Sequence, residues 1–255
     1  MNVIRIEFLK LKGSLSWLVV VLLPVMAVFS GSLSTLSSGG EFEDGWHTLW
    51  IRSIGFYGMA LLPIGIGILA SLVWRPEHRN GNWNALMSQS VPTHKVVLSK
   101  VVAISTLTAA MQVVMLLTVL VMGKLAFQIP GWLPSTYWLG SLLIVVGCIP
   151  VVALQSAFST FLRSFAVPVA IALIGAGIST VALMVGLPAV IVSPYALATY
   201  TTQLGTTLVS GESTVFNAAA MTPGSVALVV SLGLLLTVLI VAATTAVHNK
   251  RDASS

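Results

Sequence analysis

Charge is nearly missing from this chain. Asp, Glu, Lys and Arg together make up 7% of its 255 residues, where a water-soluble domain carries about 25%. So few charges cannot cover the surface of a soluble fold of this length, which excludes the ordinary globular classes. Cysteine is scarcer still. Cys148 stands alone inside an apolar run, so it forms no internal disulfide and reads as a small buried hydrophobe. Groupings that carry chemistry are missing too. The four histidines, His47, His78, His94 and His248, lie at or beyond the ends of apolar runs, with no H-E-x-x-H pair among them. Glu77-His78 has no second histidine four residues on. No G-x-S-x-G elbow occurs. A phosphate-binding loop needs G-x-x-x-x-G-K-[ST], and here Gly123-Lys124 is followed by Leu125. The chain is therefore expected to hold no nucleotide, metal or other cofactor and to be no enzyme.

What is present is apolar. Hydrophobic residues are 56% of the chain and the mean hydropathy is +0.99. A membrane-crossing helix needs about 20 predominantly apolar residues. Six such runs occur, at about Leu15 to Leu36, Ser53 to Trp74, Val96 to Gly123, Tyr137 to Phe161, Phe165 to Leu187 and Gly224 to Val247. Lipid offers no partner for backbone N–H and C=O groups, so these runs are expected as helices. A β-barrel would need short alternating strands, and these runs do not alternate. The expected fold is an all-α membrane protein of six transmembrane helices, one domain over 1–255 with no room for a soluble one. The first run resembles a signal peptide, with Arg5, Lys10 and Lys12 ahead of it and the small residues Ser30, Gly31 and Ser32 behind. Its apolar character continues to Leu36, so it reads as an uncleaved first span.

Orientation follows from the lysines and arginines. Arg5, Lys10, Lys12, Arg75, Arg79, Lys95, Lys100, Arg163, Lys250 and Arg251 fall on one side, and only Arg52 and Lys124 on the other. Four of the seven acids, Glu41, Glu43, Asp44 and Glu212, lie on the sparse side. This asymmetry places both termini in the cytoplasm and the chain in the cell membrane. It also accounts for the net charge of +5 without nucleic acid as a partner.

Three segments outside the spans are distinctive. In residues 1–13, Ile4, Phe8, Leu11 and Leu15 form a helical stripe beside Arg5 and Lys12, with Ile6 and Leu9 off it. The segment either lies flat in the membrane interface or is a charged lead-in to the first span. The longest polar stretch runs from Arg75 to Lys100, around a loop at 75–95. Asn80-Gly81 is a turn signal. Trp83, Leu86 and Met87 fall at i, i+3 and i+4, one face of a short helix. Pro92 stops it, and Thr93 suits the N-cap of the third span. That apolar face rests either on a partner or in the lipid headgroups. The segment 188–223 carries no Lys or Arg and is interrupted, which fits short outer or re-entrant helices shielded by the bundle.

No Asp or Glu lies within the proposed spans. This argues against proton-coupled transport or ion pumping, which use intramembrane carboxylates. Gln112 and Gln155 read as interhelical hydrogen-bond donors. Pro24, Pro63, Pro150 and Pro168 lie within spans and read as tolerated packing or as hinges. Glycines cluster at Gly55, Gly58, Gly65 and Gly67 and at Gly175 and Gly177, which favours close helix packing.

In this layout the chain resembles the membrane subunit (permease) of an ABC type-2 exporter. Trp74-Arg75-Pro76-Glu77, then Gly81, Trp83 to Ser88, Val91-Pro92 and Lys100 match the loop that joins spans two and three in that family. Thr93-His94 departs from the small or basic pair usual after the proline. The Trp after the glycine and the small size look most like permeases of lantibiotic self-immunity and antimicrobial-peptide export. The resemblance implies an interfacial helix before six spans, a cytoplasmic coupling helix, and short outer helices before span six. It implies that Glu77, Gly81, Trp83, Leu86, Met87 and Pro92 couple the chain to an ABC ATPase, present in two copies. It further implies a second permease subunit, identical or not, and an amphipathic peptide or lipid-like substrate. Leu36-Ser37-Ser38-Gly39-Gly40-Glu41 imitates an ABC ATPase signature with one residue too many, and on the outer side it reads as a loop. The competing expectation is a polytopic assembly or sensor protein that transports nothing.

Overall fold

The computed structural model describes residues 3–37, 45–78, 92–206 and 220–252. Every regular element among them is helical. Six helices are long and apolar enough to cross a membrane: Ser16–Ser34, Trp46–His78, Thr93–Ala126, Ser135–Phe161, Ala166–Met184 and Pro223–Lys250. They are called here the first to sixth spans. A lead helix, Val3–Lys10, precedes them.

The second span begins at Trp46, seven residues before the expected start at Ser53. Arg52 and His47 make 46–52 look like a loop. Trp46, Leu49, Trp50, Ser53 and Ile54 nevertheless fall at helical spacing and are all buried, so one apolar face draws the segment into the bundle. At ~1.5 Å per residue, the second and third spans, 33 and 34 residues long, reach ~50 Å. The hydrocarbon core is ~30 Å thick, so both helices project beyond it. The third span starts with Thr93 inside the helix and Pro92 at the cap. Thr93 therefore does not cap it. Proline suits this boundary because its missing N–H is unneeded there.

Two of the intramembrane prolines have local explanations. Residues Tyr57–Leu61 of the second span form a π-helical turn. Pro63 follows at once, and its ring would crowd the carbonyl four residues back. The widened turn relieves that crowding. Pro168 lies in the first turn of the fifth span, where no N–H is required.

The fourth span is the hub. It packs against the second, third, fifth and sixth spans and buries Ile144, Cys148, Val151 and Val152. The first span lies against the second and third. The sixth touches the fourth and third and leaves Leu234, Leu235, Val238 and Leu239 exposed, a face for lipid. Glycines set several contacts. A Cβ on Gly58 would collide with Thr202 Oγ1, and one on Gly175 would meet the Tyr195 ring at 2.5 Å. Gly55 and Gly177, expected in the same role, have nothing within 4 Å.

The chain after the fifth span turns back into the bundle. Ser193 meets Ser179 across 3.5 Å. Tyr195 then lies against Gly175 and accepts a hydrogen bond from Gln155 Nε2 at 2.5 Å. The helix Pro194–Gln203 climbs along the fourth span past Gly147 toward Gly205, which sits beside Thr136. Nearly every residue of it is buried, so the protein shields its ends from lipid. Gln112 Nε2 likewise donates to Ser141 Oγ at 3.1 Å, joining the third and fourth spans. Tyr195→Phe is expected to cost about 1 kcal/mol, the usual worth of an interhelical hydrogen bond. Thermal unfolding of the purified chain in detergent measures it.

Candidate functional site

The second span ends and the third begins on either side of residues 79–91, and their ends are held together by four buried or half-buried charges. Glu77 lies in the last turn of the second span, beyond the expected end at Trp74. Lys100 lies two turns into the third. Lys100 Nζ reaches Glu77 Oε1 at 2.6 Å and Glu7 Oε2 at 2.7 Å, and donates to the Val73 carbonyl at 3.0 Å. Three oxygens thus satisfy the three donors of an ammonium. This matters because the Lys100 side chain is 0% exposed, and a charge so placed persists only when paired. The Trp74 ring covers it from 5.1 Å.

Lys10 closes the cluster from the lead helix. Its Nζ lies 2.7 Å from Glu77 Oε1 and 2.9 Å from Glu7 Oε1. Burial alone would lower the Lys10 ammonium, but its hydrogen bonds to Glu77 and Glu7 outweigh burial and hold it above the ordinary 10.5. A lysine with a raised folded pKa gives its full contribution below 10.5 and loses it only as pH rises beyond, so Lys10 stays paired across physiological pH. Two lysines against two glutamates leave the cluster neutral. Both lysines also sit at the C-terminal end of the second span, where the helix dipole favours cations. Glu77 Oε2 has no hydrogen-bond partner among the described residues.

The lead helix is turned by this pairing. Glu7 and Leu11 are buried while Phe8 is 39% and Leu15 61% exposed, so the inward face is not the expected stripe Ile4, Phe8, Leu11 and Leu15. Lys100 draws Glu7 inward and rotates Phe8 out. The opposite flank of the second span's end is tied to the fourth span. Trp74 Nε1 donates to Ser156 Oγ at 2.9 Å, and His78 Nε2 donates to the Ser159 carbonyl at 2.6 Å. His248 of the sixth span stacks on Phe161 at 4.8 Å. One end of the bundle therefore gathers the lead helix, the ends of the second, fourth and sixth spans, and the start of the third.

The basic lead helix, the first four spans and most of the fifth are matched as a unit. The ABC-2 family transporter protein family matches residues 3–179, well over half of the chain. The chain belongs to this family. No curated protein and no solved structure matches it closely enough to show kinship. The matched region runs from the lead helix into the fifth span and includes the whole ionic cluster. As an ABC-2 permease the chain is a membrane subunit of an ABC transporter, without catalysis of its own, and it works with an ABC ATPase in the membrane.

Of the residues singled out in the sequence of this permease, Glu77 stands at the centre of the cluster. Pro92 is exposed at the start of the third span. Gly81, Trp83, Leu86 and Met87 lie outside the described residues. The structure adds Glu7, Lys10 and Lys100. Lys10 is visible in the sequence only as a topology-setting cation, and Lys100 also as the lysine that closes the family-like loop. Glu7 has one telling feature, since it is the only acid in the first 40 residues and shares a helical face with Ile4 and Leu11.

Proposed function

We propose that this ABC-2 permease is half of an ATP-driven exporter, and that the loop at 75–95 receives the stroke of its ATPase. The observation that supports this is the buried Glu7–Lys10–Glu77–Lys100 cluster. It clasps both ends of the loop and the lead helix at once. A push on the loop is then delivered to the second and third spans together rather than absorbed by one helix end. Trp83, Leu86 and Met87 supply the apolar face that an ATPase groove accepts, with Gly81 and Pro92 bounding it. The lysine- and arginine-rich end faces the cytoplasm, where ATP is, and both termini lie there.

Two ATPase subunits and a second permease, identical or not, complete the transporter, since six spans make half of one. The substrate is an amphipathic or antimicrobial peptide expelled from the membrane, as in lantibiotic self-immunity. The lipid-facing apolar surfaces and the lack of Asp or Glu in the interior of the spans suit such a cargo.

Co-purification with an ATPase subunit that carries a phosphate-binding loop tests the coupling. The expected result is a stable complex that the double change Trp83→Asp, Leu86→Asp dissolves, with at least about a ten-fold loss of affinity from burying two carboxylates in an apolar groove. A complex that survives both changes would remove the coupling role. Export is read separately, as growth of cells carrying the transporter in the presence of a lantibiotic.

A further inference from the structure

A second polar feature lies at the same end of the bundle, on the flank away from the ionic cluster. A cavity of about 210 Å³ opens between the end of the second span and the turn that joins the fourth and fifth. Arg75 and His78 line it from one side, and Arg163 and Ser164 from the other, with Ser71 and Ser159 at its floor. No acid lines it. The two acids whose side chains are described at this end, Glu7 and Glu77, are taken up by Lys10 and Lys100. Arg75 and Arg163 make no ion pair among the described residues, so two guanidinium groups converge on one cavity with no counterion among those residues.

The depth of the cavity selects the counterion. The fourth span ends at Phe161 and the fifth begins at Ala166, so Arg163 sits where hydrocarbon gives way to headgroups. The fifth span points its N-terminal end here, and its cap residue Phe165 supplies no side-chain hydrogen bond to the first turn. The partial positive charge of that helix end adds to the two arginines. Phe165 is 47% exposed at the rim of the cavity, and Val167, Ile174, Ile178 and Val181 form an exposed apolar stripe along the fifth span. A free anion or a partner's carboxylate has no use for such a stripe. A phospholipid uses both parts, its phosphate in the cavity and its acyl chain along the helix.

We propose that this cavity binds the phosphate of one anionic phospholipid. Arg75 and Arg163 neutralise the headgroup, and the fifth span carries the chain. The site depends only on immersion in a bilayer and not on the transported cargo. It fixes the turn between the fourth and fifth spans to the leaflet while the opposite flank of the second span is fixed to the lead helix.

Native mass spectrometry of the full chain, purified with phosphatidylglycerol and phosphatidylcholine in equal amounts, tests it. The expected spectrum shows one retained phosphatidylglycerol, and the double variant Arg75→Gln, Arg163→Gln loses it about thirty-fold, as two surface guanidiniums predict. Ser164→Glu, at an exposed turn position that tolerates any polar residue, puts an anion in the cavity and gives the same loss. Arg5→Gln, Lys12→Gln removes two cations elsewhere at this end and leaves retention unchanged. Equal retention by wild type and both cavity variants overturns the proposal. Displacement of the lipid by millimolar inorganic phosphate also overturns it, in favour of a free-phosphate site. Loss of the ATPase from the double variant with lipid retention intact overturns it in favour of a docking site for an acidic side chain. Loss of phosphatidylglycerol with the ATPase still bound supports it, and leaves the coupling role of the loop untouched.

Discussion

Lys100→Met is expected to destabilise the permease by about 3–5 kcal/mol, the cost of breaking a buried ion pair from one side. The side chain is 0% exposed and contacts Glu77, Glu7 and the Val73 carbonyl within 3.0 Å. Methionine fills much the same volume, so packing loss is small and the effect reads charge alone. Without Lys100, two buried carboxylates face each other with only Lys10, itself 34% exposed, to hold them. Thermal unfolding in detergent, followed by tryptophan fluorescence, gives the number. A second change decides the cause. Glu7→Gln in the Lys100→Met background restores charge balance, leaving the Glu77–Lys10 pair, and is expected to recover a large part of the loss. If Lys100→Met costs less than about 1 kcal/mol, the range of an exposed pair, the cluster is open to water and clamps nothing. ATP hydrolysis by the assembled transporter offers a second readout. The same variant is expected to uncouple hydrolysis from transport, because the loop is then held at one end only.

Gly31→Val is expected to abolish the packing of the first span on the second. A Cβ at residue 31 would stand 2.7 Å from the backbone carbon of Arg52 and 2.7 Å from the amide nitrogen of Ser53. These are main-chain atoms inside a helix, so no rotamer change relieves the contact and the two helices must separate. Overpacking a well-fitted core by even small groups costs about 1–3 kcal/mol. Gly31→Ala is expected in that range and Gly31→Val above it, measured as a lower melting temperature and lower yield of folded protein in detergent. Gly55→Ala is the matched control. Nothing lies within 4 Å of its new methyl, so the change is expected to stabilise the second span by up to about 1 kcal/mol through helix propensity alone. A Gly31→Ala variant as stable as the wild type would mean that the first span does not approach the second so closely.

These two residues show how far the sequence could be read. Gly31 lies in a run of small residues, Ser30 to Ser32, that resembles a cleavage signature. The structure gives the smallness of Gly31 a packing reason, close approach to the second span. The glycine clusters in the second and fifth spans signal tight packing, but only Gly58, Gly65, Gly67 and Gly175 meet a neighbour, while Gly55 and Gly177 do not. Composition reports that small residues are present, and which helix each one faces is a matter of rotation about the helix axis. Lys100 is harder still. By hydropathy it belongs with the polar loop, and a lysine near the start of a span usually extends to water. Its burial depends on Glu7 and Glu77, 93 and 23 positions away in the chain, reaching the same point from different helices. The second span is longer than hydropathy suggests for a related reason, since Arg52 and His47 interrupt the apolar run without interrupting the helix.

What the amino-acid order determines by itself is the medium and the class of fold. With 7% charged residues and six long apolar runs, every backbone polar group must bond within its own helix, and that outcome needs no knowledge of which helix touches which. The tertiary structure alone decides the faces. It turns the lead helix so that Glu7 points inward and joins that acid to Lys100 and Glu77. It also folds Pro194–Gln203 back beside the fourth span. The physical reason is that lipid drives helices to form but does not sort their sides. The sorting comes from close approach at glycines and from polar groups that find a partner only once the helices have met.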